Sequence, residues 1–159
     1  MANDRKEIYV FADWAELGKP QVLGVLSVAP SRGKEIFFFN YDSVWLKSGH
    51  ACSLDPKLAL ALGPQYPNKA HPNFGLFLDS SPDRWGRTLM VRREAQRAYI
   101  EKRSERRLLE SDFLLGVFDG YRMGALRFKL DPEGPFLDDD RDLAAPPWTQ
   151  LRYFLGKEV

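Results

Sequence analysis

The chain is short of the residues that usually announce chemistry. It has one cysteine, two histidines and three methionines in 159 residues. With Cys52 alone, no intrachain disulfide can form, which fits a reducing compartment. His50, His71 and Cys52 make three candidate metal ligands, without the spacing or the fourth ligand of a zinc site. They read instead as loop histidines near a buried cysteine. No run approaches the ~20 apolar residues of a membrane-spanning helix. The start, Met1 to Lys6, has no apolar stretch after its charges, so no secretory leader is expected and the expected compartment is cytoplasmic. An excess of one charge is also missing, since 23 Lys and Arg face 22 Asp and Glu. There is thus no global pull toward nucleic acid or an anionic membrane.

Catalytic sets are lacking too. A kinase site needs a phosphate cradle, a cation for the phosphates, carboxylates for magnesium and a base. Gly116 and Gly120 are too far apart and wrongly flanked to be a phosphate loop. Asp138, Asp139 and Asp140 read as a solvated acidic run rather than a magnesium site. Ser80, Ser81 and His71 form no nucleophile motif. No catalytic, cofactor or metal residue is assigned, and enzyme activity from this chain alone is not expected.

What is present is an orderly series of elements. Ile8–Ala12, Val22–Val28 and Glu35–Tyr41 are β-branched and aromatic runs, separated by turn signals at Gly18, Pro20 and Pro30–Gly33. They predict an antiparallel meander. Asp42 is expected to cap a short apolar segment, Val44–Leu46, closed by Gly49. Leu54–Asn73 holds Pro56, Gly63, Pro64, Pro67 and Pro72, so an irregular loop is expected. Phe74–Leu78 can form a short helix or turn. Ser81 is placed as the cap of a long helix beginning at Pro82 and running to about Lys102, with Asp83 at the positive end of its dipole. Trp85, Leu89, Ala95 or Gln96, and Tyr99 recur there at helical spacing and predict an apolar stripe. Ser111 or Asp112 is expected to cap a helix over Phe113–Phe118, broken by Asp119-Gly120. Met123–Leu130 alternates as a strand should.

The fold class is therefore α+β: a small antiparallel sheet packed by one long and one or two short helices. Residues 1–130 form one domain, 131–147 an acidic proline-rich linker and 148–159 the start of a truncated helix. A helix of about two turns buries little alone, so it is expected either to dock back or to continue in a longer protein.

Charge is placed unevenly. From Arg84 to Arg107 nine basic residues face three acids, whereas Asp131–Asp142 carries six acids and the lone Arg141. Arg92, Arg93, Arg97 and Arg103 have two readings. They are a solvated face with i,i+4 pairs, or a weak phosphate-contact surface. No helix-turn-helix or base-reading module accompanies them. Trp85 reads as core by default. If the first helical turn is exposed, it becomes a binding anchor flanked by Arg84 and Arg87, which suit carboxylates or phosphate.

Three segments together, Phe74-Gly75-Leu76-Phe77-Leu78-Asp79-Ser80-Ser81-Pro82-Asp83-Arg84-Trp85-Gly86-Arg87, Ser111–Gly116 and Arg122-Met123-Gly124-Ala125-Leu126-Arg127-Phe128, resemble the N-terminal subdomain of HipA-family toxins. These are serine/threonine protein kinases of bacterial type II toxin–antitoxin systems. The resemblance covers about Ile8 to Lys129. It implies a piece that packs on a HipA-type kinase core and helps contact a DNA-binding HipB-like antitoxin. The family's nucleotide and magnesium residues lie beyond this subdomain, so ATP and magnesium would belong to a kinase partner or to a missing C-terminal part. The resemblance implies either the free-standing small subunit of a three-component system or the N-terminal fragment of a kinase. From the residues, an accessory nucleic-acid contact module is a further alternative. The start of the long helix, with Ser81, Asp83, Arg84, Trp85 and Arg87, is the expected docking surface for the kinase.

Overall fold

Strand-forming runs and turn chemistry together dictate the sheet. In the computed structural model, which describes residues 4–117 and 125–137, β1 (Lys6–Ala12), β2 (Gln21–Ser31) and β3 (Lys34–Tyr41) form the expected meander. The β2–β3 hairpin closes on Arg32 and Gly33, with φ of 48° and 77°. Two successive positive φ values match the right-handed twist of the flanking strands, and Gly33 adopts its own without steric cost. β4 (Leu126–Lys129) pairs antiparallel with β1, giving the order β3-β2-β1-β4. The fold is α+β, as the sequence predicts: among the described residues, a four-stranded antiparallel sheet with one long and three short α-helices.

Alternation puts one row of side chains in the core. Ile8 and Val10 of β1, Leu26 and Val28 of β2, and Phe37, Phe39 and Tyr41 of β3 are buried. Gly24 faces Tyr41 in that row, where an added Cβ would strike the Phe39 ring and the Asn40 carbonyl. The helices close this layer. Asp42 caps α1 (Ser43–Lys47) as expected, its Oδ1 accepting the Val44 and Trp45 N–H groups at 2.8 and 3.2 Å, and Trp45 is buried. α2 (Gly75–Asp79) delivers Phe77, whose ring lies 5.5 to 6.4 Å from those of Phe39, Phe74 and Phe128. Burying one such ring stabilises the fold by roughly 1.5–3 kcal/mol, which explains the use made of a high aromatic content. The proline-rich loop holds itself down with buried Asp55, which accepts from Lys57 N–H at 2.9 Å and from Leu76 N–H at 3.0 Å, serving the start of α2.

The long helix α3 spans Arg84–Ile100, and three expectations about it are corrected. Its cap is Asp83 rather than Ser81. The Asp83 Oδ1 accepts the Gly86 N–H at 2.8 Å, while the Ser81 hydroxyl donates back to the Phe77 carbonyl at 2.9 Å. Ser81 is drawn to the free carbonyls ending α2, leaving the next acceptor past Pro82 to cap α3. The helix stops two residues early. Lys102, at φ 51°, takes the left-handed position where glycine is usual, and Lys102 and Arg103 N–H groups bond Tyr99 and Ala98 carbonyls. The expected apolar stripe does not pack into the core: Trp85 and Tyr99 are exposed and Leu89 and Ala95 only half-buried. The sheet is already covered by Phe77 and by Leu114 of α4 (Glu110–Leu115), so α3 lies against α4 instead. Met90 sits over Gly116, where any side chain would collide with it.

α4 also begins earlier than expected, at Glu110, with Asp112 reaching back to accept the Leu109 N–H at 2.9 Å. Ser111 is not its cap. It is fully buried, donates its hydroxyl to Glu35 Oε1 at 2.6 Å and accepts from Lys6 Nζ at 3.0 Å, tying α4 to the sheet. The expected breaker Asp119-Gly120, the strand start at Met123, the Asp138–Asp140 run and the helix over 148–159 lie outside the described residues. Of the acidic segment, Phe136 stands edge-on to Phe11 at 5.1 Å and Leu137 packs against the core.

Candidate partner-binding face

α3 has an inner and an outer face, and the difference is electrostatic. Inward, Arg87 is bidentate to Glu110 at 2.7 and 3.0 Å, donates to the Pro82 carbonyl at 3.2 Å, and stacks 4.7 Å from the Phe113 ring centroid. One turn or two further along, Glu94 is 8% exposed. Its carboxylate accepts two bonds from Arg103, at 2.6 and 3.2 Å, and one from the Arg106 N–H at 3.0 Å. Arg103 also pairs with Glu101, and Arg106 with Asp112 at 3.3 Å. The Arg103 guanidinium first, then the Arg106 N–H, hold the Glu94 carboxyl down at about 2; Glu94 and Glu101 in turn push Arg103 up. One acid of α3 thus holds down the segment Arg103–Arg106 that follows the chain reversal at Lys102.

Outward, the helix is largely exposed. Trp85 is 43% exposed and Tyr99 86% exposed. Trp85, Arg92 and Tyr99 recur every seven residues and share one side of the helix. Arg84 and Arg92 are exposed and have no ion-pair partner among the described residues. This is an indole between two available guanidiniums on a rigid helix, a combination suited to an apolar pocket rimmed by carboxylates or phosphate.

No protein-family model, curated protein or solved structure matches this chain.

The structure separates the residues that the sequence groups together. Asp83, Arg84 and Trp85 stand on the exposed first turn. Ser81 is half-buried and bonded to Phe77, and Arg87 is occupied by Glu110. Among the four arginines read as phosphate contacts, Arg92 is exposed, Arg93 and Arg97 are half-buried, and Arg103 is bound to Glu94. The i,i+4 pairs read along this face are replaced by bonds from the loop after α3.

Cys52 is exposed rather than buried, because the loop carrying it runs along the surface after α1. Among the described residues no three His, Cys, Asp or Glu side chains cluster as metal ligands, and no helix is long and apolar enough to cross a membrane. Sequence reasoning missed Glu94 and Ser111 as organising residues. Glu94 is the only acid between Arg84 and Ile100, a usable signal, but its partners lie nine and twelve positions away, beyond helical spacing. It also missed a cleft of about 830 Å³ between β3, the loop around Tyr66–Pro72 and the segment Arg107–Phe113.

Proposed function

We propose that this chain is a non-catalytic, HipA N-terminal-like subdomain that binds a HipA-type kinase core and modulates it within a toxin–antitoxin complex. The observation that carries the reading is Trp85, half-exposed on the first turn of α3, with Arg84 next to it and Arg92 two turns further along the same side. An indole left outside a well-filled core has the character of a binding anchor. ATP and magnesium belong to the kinase in this reading, as does the chemistry. The HipB-like antitoxin is reached through the assembly, and the compartment is the cytoplasm, where such complexes would act.

The test is co-expression with a HipA-type kinase core, followed by affinity measurement on the purified pair. Trp85→Ala should weaken binding by about 2 kcal/mol, roughly thirtyfold, while leaving the circular dichroism and melting curve of the isolated chain unchanged. A folded Trp85→Ala chain that keeps full affinity would sink the reading. So would ATP turnover by the purified chain alone.

A further inference from the structure

β3 is an outer strand of the sheet, and its free edge is only partly used. The Phe39 N–H and C=O point away from β2 and bond Gln65, at 2.8 and 2.9 Å. The β2–β3 register is unbroken from Lys34 to Tyr41. Strand geometry therefore turns the N–H and C=O of Phe37 and Glu35 the same way as those of Phe39. After Gln65 the chain leaves the sheet at Tyr66-Pro67, and among the described residues no backbone group bonds that next stretch of edge. The 830 Å³ cleft opens there.

Its walls have a definite charge. The acids Glu35 and Glu110 are already bound, by Ser111 and Arg87 respectively. Lys34, Lys69 and Arg107 are exposed and without ion-pair partners among the described residues. Apolar surface lies between them, from Ile36 at 47% exposure, Tyr66 and Phe113.

We propose that this cleft receives an extended, acidic segment of a partner protein, which adds to β3 as a further strand. Main-chain bonds to Glu35 and Phe37 continue the pairing that Gln65 begins at Phe39, and alternate side chains of the segment meet the three cations and the apolar wall. A polypeptide fits better than a small anion because the cleft floor offers backbone donors and acceptors in strand register as well as positive charge. This interface is separate from the outer face of α3 and does not rest on the kinase reading.

The probe is a capped, fluorescein-labelled heptapeptide of alternating Glu and Val, titrated with the full chain and read by anisotropy. It should bind with Kd below about 1 mM. A version N-methylated at alternate residues, which cannot donate to the edge, should lose at least roughly tenfold, as should an alternating Lys and Val peptide. The double variant Lys69→Glu/Arg107→Glu, changed only at exposed positions, should lose a similar factor, while Trp85→Ala should bind the peptide like the unsubstituted chain. No binding by about 1 mM overturns the proposal. Equal binding of the N-methylated peptide does so as well, as does sedimentation showing a second copy of this chain seated on the edge.

Discussion

Glu94 shows how one side chain can organise many. Three donors converge on its carboxylate from residues that follow the helix, so its ionised form is favoured in the folded chain and its pKa falls from 4.5 to about 2. A carboxyl with a depressed folded pKa contributes stability that is complete above its unfolded value. That contribution drains away as pH falls from 4.5 toward about 2. Glu94→Gln should therefore melt below the unsubstituted chain at neutral pH. The gap between the two melting temperatures should narrow steadily through this window. A constant gap from pH 7 to pH 2.5, measured by circular dichroism at roughly half-unit steps, would show that the bonds to Arg103 and Arg106 do not depend on the charge.

Elements obey their caps. α3 begins where Asp83 can reach the Gly86 N–H, and losing such a cap costs about 1 kcal/mol. Asp83→Ala should lower the unfolding free energy by that amount, read as an earlier urea midpoint at unchanged slope, whereas Ser81→Ala should not shorten α3. The strands were legible in position, because runs such as Ile36-Phe37-Phe38-Phe39 and the Arg32-Gly33 turn specify extended chain and reversal locally. β2, however, runs on through Pro30 and Ser31, which read as turn and are held by pairing with Glu35 and Lys34. Asp42 and the Phe74–Leu78 helix were legible for the same reason. The facing of α3 was not. Trp85, Leu89 and Tyr99 fit a helical period, but periodicity names a common side and not what covers it. The buried side instead carries Arg87, Met90, Glu94 and Ala98, and their contacts with Glu110, Gly116 and Arg103 are tertiary facts that no local pattern reveals.

At the scale of the molecule, the apolar core and the polar α3 layer should differ in how tightly they hold. β1 and β2 lie at the centre of the sheet with the buried aromatics behind them, whereas α3 has only Glu94 and Ala98 buried. Hydrogen exchange should find the slowest amides in β1 and β2 and a markedly faster set across α3, reflecting partial opening of the helical layer with the sheet intact. Equal protection in both would mean that α3 and the sheet open only together. Of the candidate site, Asp83, Arg84 and Trp85 were legible as a chemically unusual first turn. The β3 cleft was not, because its walls come from three segments spread over eighty residues of chain. The pairing of β4 with β1 has a consequence for synthesis. The first three strands can assemble while the chain is still emerging from the ribosome, but the Tyr9–Ala12 edge must wait for Leu126–Lys129. At roughly 5–20 residues per second that wait lasts on the order of ten seconds. Through it the nascent chain presents an aromatic, unpaired strand to its neighbours, so crowded translation is where this protein is most exposed to aggregation.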